Sequence, residues 1–130
     1  MPKKAINPST LPVPPGFSRG VETSGGGRTI YISGAAPLGP DNQVSGDNLA
    51  AQAEACLSKI ALILGEAGGS MGDIVSLSVY VTDISRLAEI SEVREKYLTG
   101  PVPPAMSGFE VSALAGPDWL IEIDGIAYIE

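Results

Sequence analysis

The chain has 130 residues, 44% of them hydrophobic, and this length and composition predict one domain, residues 1–130, with its own core. Its 15 acidic and 8 basic residues give a net charge of −7, so there is no general positive field to attract nucleic acid or anionic lipid. No stretch approaches the roughly 18 consecutive apolar residues that a membrane helix needs. We therefore expect a soluble protein whose partners are neither nucleic acids nor membranes.

The content of reactive side chains excludes several common kinds of catalytic and metal site. The sequence contains no histidine and one cysteine, Cys56. This excludes the common zinc sites, Ser-His-Asp triads, Cys-His dyads and an internal disulfide, and we predict no metal site. The unpaired thiol, together with the lack of an apolar run of signal-peptide length before the first Pro-rich segment, indicates a cytoplasmic location.

The first third of the chain predicts two strands joined by a turn. Strand-like runs near residues 17–22 and 28–33 flank the sequence SGGG, whose glycines supply the positive φ that a hairpin turn requires. The Pro-rich segment NPSTLPVPPGF that leads into the first run is typical of an extended arm.

Two clear periodicities follow. Apolar residues recur at helical spacing from Leu49 to Leu64, with Cys56 on the buried stripe, and the glycines of EAGGS end this first helix. The stretch DIVSLSVYVTD, residues 73–83, then alternates apolar and polar side chains, which predicts a strand with one apolar and one polar face.

Helical spacing returns in ISRLAEISEVREKYL, residues 84–98, and the prolines of GPVPP end this second helix. Two strands are predicted after it, near 106–113 and 119–129. The predicted order is β-β-α-β-α-β-β, an α+β fold in which two helices cover one face of a β-sheet.

The two faces of this sheet differ in character. The alternation places one apolar set under the helices: Ile30, Ile32, Val75, Leu77, Val79, Val81, Phe109, Val111, Ile121 and Ile123. The far face collects a mixed set: Tyr31, Ser33, Ser76, Ser78, Tyr80, Met106, Gly108, Leu120 and Glu122. That mixture predicts a subunit interface with a cleft in it, and a half-solvated antiparallel sheet face is the alternative.

The C-terminal third resembles the Rid family, the YjgF-like reactive intermediate deaminases. The stretch PAMSGFEVSALAGPDWLIEI, residues 104–123, is similar to the family signature, in which Pro-Ala-Arg-Ser leads to an Ile-Glu-Ile-type strand. Upstream, YISGAAP resembles the family's Ser-Gly-x-x-Pro strand end, and the block from AAQAEACLSKI to VYVTDIS resembles its first helix and central strand. One position departs from the signature, because Met106 stands where the family has its arginine.

The resemblance implies a chorismate-mutase-like, YjgF-like subunit with a mixed β-sheet that assembles into a homotrimer, with small-molecule clefts between neighbouring chains. It also implies hydrolysis of reactive imines or enamines, made from amino acids, to oxo acids and ammonia, with no cofactor. The family arginine holds the substrate carboxylate, and the glutamate that matches Glu122 positions or activates the attacking water.

Further site residues carry over position by position. Phe17 falls where many members have tyrosine, Ser91 where asparagine is frequent and Gly108 where cysteine is frequent. The substrate-binding positions implied by the resemblance are Phe17, Ser33, Gly34, Ser91, Met106, Ser107 and Gly108. Alternative readings remain open: Met106 could fill a core gap, Ser33 could bond only to a neighbouring strand, and Glu122 could be a polar residue on a solvated sheet face.

Replacing the arginine by Met106 removes two charge-assisted hydrogen bonds, which weakens carboxylate binding by about 10²–10⁴-fold. The usual 2-imino acid therefore fits badly, and a neutral or cationic ligand with apolar surface fits better. Arg19 and Arg28 are candidates to replace the lost charge from elsewhere.

Two functions are consistent with these residues. The first is a divergent Rid-type hydrolase or deaminase that acts on a small imine, enamine or related C–N compound. The second is a non-catalytic homotrimer that binds a metabolite or a protein partner for regulation. Ribonuclease activity, which is associated with some relatives, is disfavoured by the acidic charge and by the absence of histidine.

Overall fold

The computed structural model describes residues 3–130, which form six strands and two α-helices. The strands are β1 Lys3–Ile6, β2 Gly20–Thr23, β3 Arg28–Ala35, β4 Ile74–Val81, β5 Ala105–Glu110 and β6 Ile121–Ile129. The helices are α1 Leu49–Glu66 and α2 Ser91–Tyr97. Two short 3-10 segments, Met71–Asp73 and Ile84–Ile90, precede β4 and α2 respectively.

Four strands form the main sheet in the order β3-β6-β4-β5. β6 is antiparallel to both of its neighbours, whereas β4 and β5 are parallel, so the sheet is mixed and β5 lies at its edge. A parallel pair needs a crossover connection, and the segment containing α2 provides it. The predicted α+β fold, with a mixed sheet and two helices on one face, is confirmed.

Helix α1 supplies much of the core. The side chain of Asn48 accepts a hydrogen bond from the backbone N–H of Ala51 at 2.8 Å and so caps the N-terminus of the helix. Beyond the C-terminus, Gly68 takes a positive φ of 85°. The apolar stripe of α1 packs against the sheet, and its fully buried members are Ala53, Cys56, Ile60 and Leu64.

The predicted hairpin between the first two runs is wrong. β2 pairs with β1, which the sequence did not indicate, and the two form a separate two-stranded sheet. β3 instead pairs with β6. The glycine turn still needs a positive φ, at Gly25, and the hydroxyl of Tyr128 holds this turn by accepting from Gly27 N–H and donating to Ser24 C=O.

The face assignment also needs correction at both ends of the β4–β5 pair. A register shift between Ile74 and Ser76 buries Ile74 completely and leaves Val75 only partly covered. In β5 the register places Met106 beside Leu77, under the helices and not on the far face. Phe109 pairs with Tyr80 and therefore lies on the far face, where the two rings stack at 5.6 Å.

The predicted second helix is two segments. Ile84–Ile90 is 3-10 in geometry, and only Ser91–Tyr97 is α-helical. Within residues 3–130, no helix is both long and apolar enough to cross a membrane, and no cluster of three or more acidic or cysteine side chains is placed to hold a metal ion.

Candidate functional site

A cavity of about 390 Å³ lies between the Ile84–Tyr97 segment and the edge strand β5. Most of its lining is apolar. The residues that line it are Phe17, Val79, Leu87, Ala88, Ile90, Ser91, Arg94, Met106, Ser107 and Gly108. Its volume is within the range of small-molecule sites, and it includes five of the positions that the sequence predicted to bind substrate.

Strand β5 positions two of those residues. Met106 lies beside Leu77, and Gly108 lies beside Val79, so both belong to the helix side of the sheet. A Cβ placed on Gly108 would lie 3.2 Å from Cδ2 of Leu87. The missing side chain at this position therefore keeps the cavity open between the strand and the helical segment.

The rim of the cavity is fixed by the chain around Phe17. Ser18 is only 1% exposed, and its backbone N–H donates to Pro104 C=O at 2.9 Å. Its hydroxyl donates to Pro103 C=O. These contacts dock the segment against the start of β5, and so they hold the adjacent Phe17 ring at the cavity wall.

Among the described residues, the cavity lining contains no carboxylate and one cation, Arg94, which the sequence pattern did not predict. A signal for it exists, because Arg94 follows Ser91 by three residues in a helix and so shares its face. The two arginines considered as replacements for the family arginine lie elsewhere. Arg19 donates to Pro12 C=O and sits 5.8 Å from the Phe17 ring, and Arg28 donates to Ala67 C=O.

Glu122 lies on the opposite face of the sheet. It pairs with Tyr80, whose side chain points away from the neighbouring Val79 that lines the cavity. Gly34 lies directly beside it, since a Cβ on that glycine would overlap Oε2 of Glu122. Ser33, exposed, precedes Gly34 in the irregular part of β3.

The two carboxylates on this face differ in their contacts. Oδ2 of Asp124 accepts a hydrogen bond from the Tyr80 hydroxyl at 3.1 Å. Within the part of the chain that the structure describes, the half-buried Glu122 carboxylate has neither an ion pair nor a hydrogen-bond donor. Glu122 is thus the acid on this face that is free to bind water or ligand.

A single chain therefore brings the predicted residues into two groups. The cavity group comprises Phe17, Ser91, Met106, Ser107 and Gly108, and the Glu122 group comprises Ser33, Gly34 and Glu122. The sheet separates the two groups except at Ser107, which lines the cavity at the edge strand but shares the Glu122 face by strand alternation.

Cys56 takes no part in either group. It is fully buried in the core, and this burial raises the pKa of its thiol to about 12. The thiol therefore stays protonated near neutral pH, and because the thiolate is the nucleophilic form, Cys56 is not a nucleophile there.

Comparisons with known proteins identify relatives in sequence and in structure. Residues 11–129 match the family model described as endoribonuclease L-PSP. A RutC family protein of Pyrococcus abyssi is 35% identical over 133 aligned positions, covering 100% of both chains. Among solved structures, the Rid family protein YyfB of Yersinia pestis, of unknown function, has a TM-score of 0.87 at 34% identity over 98% of each chain. RidA from an Antarctic Psychrobacter species has a TM-score of 0.72 at 32% identity, covering 97% of this chain and 99% of its own.

Proposed function

Because this chain belongs to the Rid family, whose endoribonuclease L-PSP model it matches over residues 11–129, we propose that it is a hydrolase of small imines. Water adds to the imine carbon, and the resulting amino alcohol expels ammonia and leaves a carbonyl compound. Enamines enter the same reaction through their imine tautomers. The balance of the reaction, one water consumed and one ammonia released, requires no redox partner and no cofactor.

The observation that carries this proposal is the unpaired carboxylate of Glu122. A carboxylate held against Gly34 and without protein donors accepts a hydrogen bond from water, orients its lone pair and takes its proton as the C–O bond forms. The neighbouring Asp124 is less suited to this role, because Tyr80 already donates to it.

A second copy of the chain is needed to complete the site. Glu122 and the cavity lie on opposite faces of one sheet, so water held by Glu122 cannot reach a ligand in the cavity of the same chain. The face that carries Glu122 also exposes 78% of Tyr31 and 46% of Phe109. Covering these rings with sister chains in a homotrimer would set Glu122 of one chain beside the cavity of the next, as a heterologous closed interface does.

Met106 restricts the substrate. Where the family arginine would grip a carboxylate, this chain presents a thioether that contacts the apolar core. We therefore expect the substrate to have no carboxylate at that place and to carry an apolar group that fits against Val79, Leu87 and Met106.

The loss of the arginine also supports a second function, a trimer that binds a metabolite or partner without catalysis. An apolar cavity with few polar groups is sufficient for binding. The absence of a cofactor and of nucleic-acid partners, and the cytoplasmic location, remain predictions from the sequence.

Turnover of two imines distinguishes these functions. An amino-acid oxidase generates a 2-imino acid and an amine oxidase generates a neutral imine, and semicarbazide traps whatever imine remains. We expect the protein to lower trapping of the neutral imine more than trapping of the imino acid. Glu122→Gln should reduce turnover by about 10²–10⁴-fold, which is the usual contribution of a general base.

Asp124→Asn is the matched control, since it neutralises the other acid on the same strand and face and should retain most activity. Met106→Arg should shift the preference towards the imino acid. If neither the protein nor Met106→Arg changes the trapping of any imine, the binding function is the correct one.

A further inference from the structure

We infer that Arg94 is the anion-binding residue of this cavity and that the ligand carries a carboxylate remote from its imine carbon, on the side of helix α2 and away from Met106, so that it differs from a 2-imino acid, whose carboxylate is attached to the reacting carbon. This inference rests on the proposed site and specifies its ligand further. It moves the charged group of the ligand from the strand wall, where the family arginine would hold it, to the helix wall.

The first support is the position of the guanidinium. Arg94 lines the cavity from α2, and a Cβ placed on Gly16 would lie 3.1 Å from its Nη2. Gly16 precedes Phe17, so the guanidinium lies where the docked N-terminal segment meets the helix at the cavity rim. Arg94 also lines a smaller adjoining cavity of about 180 Å³ with Pro15, Gly16, Glu95 and Leu98.

The second support is the lack of protein partners. Within residues 3–130, no carboxylate lies within 4.0 Å of the Arg94 side chain, although Glu92 and Glu95 are on the same helix. The nearby Arg86 is different, because it forms an ion pair with Glu89 at 2.9 Å. In a chain with a net charge of −7, a half-buried guanidinium without a partner beside a cavity is an available carboxylate receptor.

The third support is the rest of the lining. Val79, Leu87 and Ile90 present apolar surface to the cavity. A ligand with one carboxylate and an apolar body therefore matches the cavity, with its charge at Arg94 and its body over these side chains. Strand and helix supply opposite walls, so the side of Met106 remains apolar.

Benzoate and benzamide test this inference, because they have nearly the same shape and differ in charge. Their dissociation constants are measured by chemical-shift titration of backbone amides at pH 7 and fixed ionic strength. We expect benzoate to bind at least about tenfold more tightly than benzamide, as expected for hydrogen bonds to a charged group. Arg94→Met should abolish this preference and change benzamide binding less than about twofold.

Arg94→Lys keeps the positive charge and should retain part of the preference for benzoate. This variant therefore distinguishes the effect of lost charge from the effect of a disturbed structure. Arg19→Met is the matched control, since Arg19 lies near Phe17 but outside the cavity lining, and it should bind benzoate as the unmodified protein does. The inference is overturned if benzoate does not bind, if it binds no better than benzamide, or if the preference persists in Arg94→Met. None of these measurements depends on turnover, so failure of the hydrolase proposal would be seen separately, in the imine assay.

Discussion

The two faces of the main sheet divide the candidate site between them. The helix side holds a cavity of about 390 Å³ that is lined mostly by apolar side chains and by Arg94. The far side holds Glu122, an acid without a partner among the described residues, together with exposed aromatic rings, and Ser107 of the cavity lining shares this face by strand alternation. The helix side thus has the features of ligand binding and the far side those of proton transfer. The sheet keeps them apart within one chain, and the proposed function requires another copy to bring them together.

Mixing two inactive variants tests this division directly and has the largest expected effect. Gly108→Leu fills the cavity, since even a Cβ there lies 3.2 Å from Leu87, and Glu122→Gln removes the base. Each variant alone should lose about 10²–10⁴-fold in turnover. After joint unfolding and refolding, roughly a quarter of the shared clefts combine an intact cavity with an intact Glu122, and activity should return to that fraction.

The absence of recovery would contradict the shared cleft, because cavity and base would then have to come from the same chain. Recovery without refolding, in simply mixed solutions, would indicate that subunits exchange rapidly. Sedimentation of the refolded mixture confirms that its assembly state equals that of the unmodified protein.

Gly34→Ala should separate activity from stability on the far face. The added Cβ overlaps Oε2 of Glu122 and lies 3.0 Å from its Cδ, so the carboxylate must move. Because only the end of a flexible side chain has to shift, we expect the free energy of unfolding to change by less than about 0.5 kcal/mol. Turnover should fall by about 10–100-fold, since small displacements of a positioned group are costly. Unchanged turnover would show that Glu122 needs no fixed position.

Gly125→Ala is the same substitution on the helix side, with the opposite outcome. Its Cβ would lie 2.7 Å from the carbonyl oxygen of Ser76 and 2.8 Å from Cδ2 of Leu77. A backbone carbonyl in the sheet cannot rotate away, so overpacking should lower the free energy of unfolding by about 1–3 kcal/mol. Urea denaturation at one protein concentration measures this change. A loss equal to that of Gly34→Ala would remove the distinction between the two faces.

The sequence predicted these elements better than it predicted their faces. Helix α1 and strand β4 were found because their apolar residues repeat cleanly at periods of 3.6 and 2. In strand β5 the apolar residues Met106 and Phe109 lie at an even and an odd position, so the alternation of side chains does not indicate which set faces the helices. The choice comes from pairing with β4, which sets Met106 beside Leu77, and such a long-range register is absent from a local pattern.

The same limit applies to the site. The family signature located Glu122 and Met106, but it could not show that the sheet lies between them. Arg94 is not indicated by the strand pattern, which points to arginines near turns, and only the helix register aligns Arg94 with Ser91. The prediction that β2 and β3 form a hairpin was wrong because it also used only local sequence. A turn between adjacent strands favours their pairing, yet β2 and β3 find longer-range partners.

The smallest expected effect is a decrease in the free energy of unfolding at high pH. It tests whether the Cys56 thiol on the helix side is a reactive group. Burial raises the pKa of Cys56 to about 12 from 9.0, so the folded protein keeps a proton that the unfolded chain loses. The stabilisation is complete below about pH 9 and is lost as the pH rises towards 12, and the loss reaches about 1.4 kcal/mol at pH 10. Cys56→Ala, which lacks the thiol, should not show this decrease, and comparing the two cancels tyrosine ionisation. Rapid labelling of native Cys56 at pH 8 would instead reveal a thiolate on the helix side, and the chemistry could no longer be assigned to Glu122 alone.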